Sequence, residues 1–185
     1  MQIRPTPLAG AFVIELEPRG DDRGMFVRTF CRETFEKHGL VADYQQANHS
    51  RTRGKGTVRG LHFQYPPHAE VKVVRCTRGA ILDVFVDLRN GSPTFLQWHA
   101  VELSESNLRV VYIPTGFAHG FQTLTDDCDV LYNVTATYAP HAEGKIHCQD
   151  PTLGIPWPLP VANLSPKDAV APKVAGFAGI DTTDR

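Results

Sequence analysis

Nine short apolar or alternating runs, each closed by a turn signal, direct this chain toward stacked antiparallel strands. They are Ala11 to Glu17, Met25 to Phe30, Val58 to Gln64, Val71 to Thr77, Ala80 to Asp87, Trp98 to Leu103, Leu108 to Ile113, Gly120 to Leu124 and Val130 to Tyr138. Strands of this length at this spacing form a sandwich or barrel. Fifteen glycines and fourteen prolines supply the turns and argue against a helix bundle. One early helix is predicted, Arg32 to His38, ending at Gly39, and the Pro-rich stretch after Ala139 reads as a wrapped tail with short helical turns. The 185 residues suit one domain spanning 1–185, in which about 173–185 is expected to be a loose tail.

Composition narrows the partners. Nineteen basic against twenty acidic residues give a net charge of −1 and no field for a polyanion, so nucleic acid is not expected. No apolar run approaches the roughly 20 residues of a membrane span, and Met1 to Pro5 leads into no signal-peptide core. A cytoplasmic, membrane-free protein is expected. Cys31, Cys76, Cys128 and Cys148 lie far apart without a CxxC pair and read as free thiols.

Because successive strand side chains point to opposite faces, period two identifies polar residues that share a face with core positions. Lys72 shares its face with Val74 and Cys76, and Asp83 with Ile81 and Phe85. Val130, Tyr132, Val134, Ala136 and Tyr138 fall on one face, which brings two phenols to one side. A charge aimed at an apolar interior is costly without a partner or a task, and a jelly-roll cavity lined by His, Lys, Asp and Tyr accounts for all of them. Each taken singly also fits a satisfied structural ion pair.

Two histidines stand in chemically suggestive settings. His62 follows Arg59 and Gly60 on a predicted strand, where it can act as a general base if its tautomer is fixed; alone, such a histidine is more often a hydrogen-bonded structural one. His119 ends the stretch Pro114-Thr115-Gly116-Phe117-Ala118-His119, which matches part of the second motif of the cupin jelly-rolls. Metal-binding cupins carry HxH followed by Glu, whereas this chain has His62-Phe63-Gln64 with Glu70 nearby. A three-His site is therefore missing, and a His62, Glu70, His119 set is the remaining metal alternative. There is no GxSxG elbow and no Walker loop.

In order, the motifs resemble the dTDP-4-dehydrorhamnose 3,5-epimerase family, a cofactor-independent branch of the cupins. They are Asp22-Arg23-Gly24 with Phe26, Gln46 to Ser50, Arg59 to Gln64, Lys72 to Arg75, Asp83 to Arg89, Gly91 to Thr94, Ile113 to Phe121, Leu131-Tyr132, Tyr138 to Pro140, Asp150-Pro151 and Leu164 to Asp168. The resemblance runs from about residue 5 to 172 and implies an all-β, cupin-like antiparallel jelly-roll or β-sandwich with a few short helices. It also implies epimerisation of a nucleotide-linked 4-keto-6-deoxy sugar through an enolate, needing neither metal nor other cofactor. On that resemblance His62 is the base, Asp168 its orienting carboxylate, Lys72 the cation at the C4 oxygen and Tyr132 the acid on the opposite face.

The same resemblance implies that Arg23, Arg59 and Lys167 serve the diphosphate, Gln46 and Asn48 the nucleotide sugar, and His119 the sugar near C4. Phe26 and Tyr138 would flank the base. A homodimer, in which the Arg23 region reaches the partner's site, is also implied. Departures from the family pattern flank the acid without removing it. Arg28 stands where an acidic residue is common and Ala47 where Asp is frequent. Asn133 to Thr137 lack the usual Lys, Asp and second Tyr, and Lys145 to Gln149 replace a typical Gly-Ile-Arg-Trp followed by Asp or Asn. The nucleotide base and the inverted centre, C3, C5 or both, stay open, beside a metal-dependent cupin and a non-catalytic sugar-nucleotide binder.

Overall fold

A computed structural model describes residues 1–182. Thirteen strands follow in order: β1 (Gln2–Pro5), β2 (Phe12–Glu15), β3 (Arg19–Asp21), β4 (Gly24–Phe26), β5 (Gln46–Arg53), β6 (Val58–Gln64), β7 (Lys72–Arg78), β8 (Ala80–Asp87), β9 (Trp98–Ser104), β10 (Arg109–Ile113), β11 (Phe117–Thr123), β12 (Asp127–Val134) and β13 (Glu143–Lys145). Helix α1 (Arg32–Lys37) precedes β5, a 3-10 turn (Pro140–Ala142) precedes β13, and α2 (Pro166–Ala169) comes last. Gly39, at φ +70°, supplies the left-handed residue just past α1.

Two antiparallel sheets carry the fold, one ordered β1-β2-β10-β7-β12-β5 and the other β13-β6-β11-β8-β9, while β3 and β4 pair only with each other. Alternation builds the interior between them. Val74 and Cys76 of β7, Val111 and Ile113 of β10 and Val130 of β12 meet Ile81 and Phe85 of β8 and Phe117 and Phe121 of β11. The expected all-β, cupin-like jelly-roll is what forms. The other face of the second sheet supplies Leu61, Val84, Val86 and Ala118 to a further cluster, which Ile146, Leu153, Ile155, Val174 and Ile180 complete. No helix among the described residues is long and apolar enough to cross a membrane.

Several expectations need correction. The strand predicted through Tyr138 stops at Val134, so Tyr138 lies beyond it and half exposed. Met25 to Phe30 contributes only the end of β4. Strand β5 was read only as a motif, since its polar alternation offers no apolar face. The segment from 173 is not loose through residue 182: Val174 and Ile180 are each 2% exposed, and the Ile180 N–H donates to Leu88 O at 2.7 Å. Residues 183–185 of that expected tail lie outside the described residues.

Candidate active site

Strands β6 and β11 approach unusually closely where the site begins. A Cβ on Gly60 would stand 2.6 Å from the Gly120 Cα, so only glycine permits this contact. Just beyond it His62 pairs in register with His119, and the register shifts after His119. Both imidazoles thus reach one cavity of about 540 Å³, whose other walls include Arg59, Lys72, Tyr132 and Lys167.

Each histidine leans on a carboxylate. His62 Nε2 lies 2.7 Å from Asp168 Oδ1, and Asp168 is placed by the single turn of α2, whose Ser165 side chain accepts from the Asp168 N–H. Burial lowers the pKa of His62 and outweighs the raising effect of Asp168, while the Lys72 charge lowers it further. Burial pulls Asp168 the other way, but hydrogen bonds from His62, Ser165 and the Gly60 backbone hold its carboxyl below the usual range. A neutral His62 that donates Nε2–H to an ionised Asp168 keeps Nδ1 as the basic nitrogen. His119 Nε2 lies 2.8 Å from Asp83 Oδ2. Burial raises the pKa of fully buried Asp83, against His119 and Lys72, and its Oδ1 has no hydrogen-bond partner among the described residues.

Lys72 is buried and its Nζ sits 3.1 Å from Glu70 Oε1. Burial and the Glu70 charge raise the pKa of Tyr132 against the opposing Arg59, which keeps the phenol protonated. A second cavity, of about 290 Å³, adjoins the first, and His62, Lys72, Tyr132 and Glu143 line both. Gln46, Asn48 and Tyr138 line the smaller one. Arg59 Nε donates to Thr52 Oγ1 at 2.8 Å.

Of the twelve expected site residues, the chain brings together all but Arg23 and Phe26. These two line neither cavity, because the β3–β4 hairpin has no third strand to hold it against the body. Phe26 is 68% exposed and Met25 59%. Phe26 and Tyr138 therefore form no base clamp within one chain. The His62, Glu70, His119 metal set is not assembled either: both Nε2 atoms engage carboxylates and Glu70 engages Lys72. No group of three His, Cys, Asp or Glu side chains among the described residues could hold a metal ion.

Glu143 and Lys145 had no site role in the sequence reading. Their side chains pair at 3.1 Å, and β13 sets Lys145 directly across from His62. The alternation Glu-Gly-Lys beside an apolar Ile146 was the available signal.

A family model described as dTDP-4-dehydrorhamnose 3,5-epimerase matches residues 5–176. The chain belongs to this family. Among its epimerase relatives, a dTDP-4-dehydrorhamnose 3,5-epimerase of Salmonella typhimurium is 46% identical over 164 residues, covering 86% of this chain and 89% of that protein. A dTDP-4-dehydrorhamnose 3-epimerase of Streptomyces niveus is 40% identical over 169 residues, covering 91% and 81%. A solved 3,5-epimerase from Legionella pneumophila, in complex with dTDP-4-keto-L-rhamnose, superposes with a TM-score of 0.90 at 42% identity, covering 94% of this chain and 93% of that one.

Proposed function

We propose that this chain epimerises a dTDP-linked 4-keto-6-deoxy sugar, converting dTDP-4-dehydro-6-deoxy-D-glucose to dTDP-4-dehydro-L-rhamnose. One observation carries the reading: the candidate base and the candidate acid stand on opposing sheets. His62 comes from β6 in one sheet and Tyr132 from β12 in the other, and both line the two adjoining cavities. A sugar held between them has the base at one face and the acid at the other, as inversion requires.

His62 removes a proton alpha to the C4 ketone, the electron pair moves into an enolate, and Tyr132 returns a proton from the far side. Asp168 holds the imidazole tautomer and stabilises the imidazolium. Lys72, on β7 next to the β12 strand that carries Tyr132, stabilises the developing charge on the C4 oxygen. His119, backed by Asp83, binds the sugar near C4, while Gln46, Asn48 and Tyr138 hold the smaller cavity's occupant. Arg59 and Lys167 meet the diphosphate. Proton transfers alone complete this sequence, so it calls for no cofactor.

Arg23 and Phe26 serve the site of a second copy. The exposed β3–β4 hairpin supports a homodimer, which a molar-mass measurement by light scattering checks. A substrate of this kind suits a cytoplasmic enzyme. The Streptomyces niveus relative favours, as a second reading, inversion at C3 alone.

Incubation with dTDP-4-keto-6-deoxyglucose in deuterated water tests the mechanism. Deuterium at C3 and C5 is expected, and His62→Ala should abolish it. Label at C3 alone selects the second reading. Label persisting in His62→Ala refutes the assigned base, and binding without label identifies a sugar-nucleotide binder.

A further inference from the structure

Outside the two cavities, two imidazoles converge. His68 Nε2 and His141 Nε2 stand 3.3 Å apart with their rings nearly perpendicular, at 88°. His141 is exposed and His68 half-buried, so solvent reaches the pair. The contact lies within hydrogen-bonding distance, and the same spacing suits a shared metal ion. Two nitrogens each about 2.0–2.1 Å from a tetrahedral zinc ion stand about 3.3–3.4 Å apart, which is the spacing found.

The backbone around the pair is braced. Buried Gln64 donates from Nε2 to His68 O at 2.8 Å and accepts at Oε1 from the Ala139 N–H at 2.6 Å. One side chain thereby ties together the two segments that carry the histidines. Neither histidine lines the two cavities of the site, but Gln64 and Glu70 at the ends of the first segment line the smaller one, as do Tyr138 and Glu143 at the ends of the second.

We propose that His68 and His141 form a two-imidazole site for a divalent transition-metal ion such as Zn2+, which fastens together the two segments walling the smaller cavity. Imidazole nitrogen suits zinc, copper and nickel, and selects against magnesium and calcium. No third His, Cys, Asp or Glu among the described residues joins the pair. Water or a small anion completes the coordination, and the ion stands apart from the proton-transfer chemistry.

Calorimetric titration of the metal-free chain with ZnCl2 tests this, alongside His68→Gln and His141→Gln. One Zn2+ per chain is expected, with affinity falling roughly tenfold or more in each variant, since each loses one of two ligands. Zn2+ should raise the unfolding midpoint of the unaltered chain and raise that of both variants less, because an ion bound only to the folded state stabilises it in proportion to its occupancy. Absence of one-to-one binding, or binding undiminished in either variant, overturns the proposal. Electron paramagnetic resonance of the chain loaded with one Cu2+ needs no variant: two nitrogen ligands support the pair, and one or none overturns it.

Discussion

Burial and Lys72 both lower the proton affinity of His62, while Asp168 raises it, so two substitutions should move its titration in opposite directions. On the proposed mechanism the unaltered enzyme works with the neutral imidazole, and its deuterium-exchange rate should fall only below the ordinary histidine value of about 6.5. Asp168→Asn removes the raising charge, so the acid limb should move to lower pH while the rate drops roughly 10²- to 10⁴-fold. Lys72→Met removes a lowering charge and the cation at the enolate. Its acid limb should move to higher pH, with a loss of roughly 10²- to 10³-fold. Exchange rates against pH for the three proteins check both signs; limbs that coincide would show that His62 is not the titrating base. Stability follows the same sign. A histidine depressed in the folded state lets the unfolded chain take up protons first, so its contribution destabilises the fold as pH falls through the unfolded value toward the folded one. His62 was legible as the candidate base through the motif from Arg59 to Gln64, because a lone histidine on a strand also fits a structural role. Lys145 was less so, since the alternation that marks it spans only the three residues of β13.

Helix α2 shows how little secondary structure can position the carboxylate that holds His62. It has four residues, and its Ser165 cap satisfies the Asp168 N–H. Ser165→Ala should cost about 1 kcal/mol, a fall in Tm of roughly 2–4 °C for a chain of this length, as thermal unfolding would read. The exchange rate should fall as well, because Asp168 loses a restraint as well as a stabilising bond. Gly120 makes the same point on β11: a Cβ there would meet Arg59 O at 2.6 Å and Leu61 Cδ2 at 2.8 Å. Gly120→Ala should therefore force β6 and β11 apart, costing roughly 1–3 kcal/mol in denaturant unfolding and separating His62 from His119. Core strands such as β7, β8 and β10 were legible because each alternates against an apolar interior. Strand β5 was not, although it has eight residues. It is an edge strand paired only with β12, and Gln46 and Asn48 face the smaller cavity. The features that obscured it as a strand are the ones that suit it to a polar ligand.

At the scale of the molecule, local pattern ran out where the chain closes on itself. The segment beyond Pro172 has no period and ends in polar residues, so it read as loose. Its two buried anchors, Val174 and Ile180, are six residues apart and find partners on the outer face of the second sheet. The hairpin bearing Arg23 and Phe26 is the converse case, recognisable as a motif yet without a seat inside one chain. Both failures have one cause: period reports which face of an element is apolar, not which distant surface will cover it. The C-terminal segment offers the sharper test. Burying an aliphatic side chain is worth about 1.5–3 kcal/mol, so losing Val174 and Ile180 together removes roughly 3–6 kcal/mol. That is a large share of the 5–15 kcal/mol that typically holds a domain folded. A chain shortened to end at Pro172 should thus unfold at least about 6 °C below the full chain. Val174→Ala with Ile180→Ala in the full chain should reproduce most of the fall, since the stabilisation resides in the two side chains. An unchanged Tm in the shortened chain would mean that this segment is the loose tail its sequence suggested. A fall in the shortened chain alone would assign the stabilisation to the backbone bonds between Ile180 and Leu88 and Asn90, just past the end of β8.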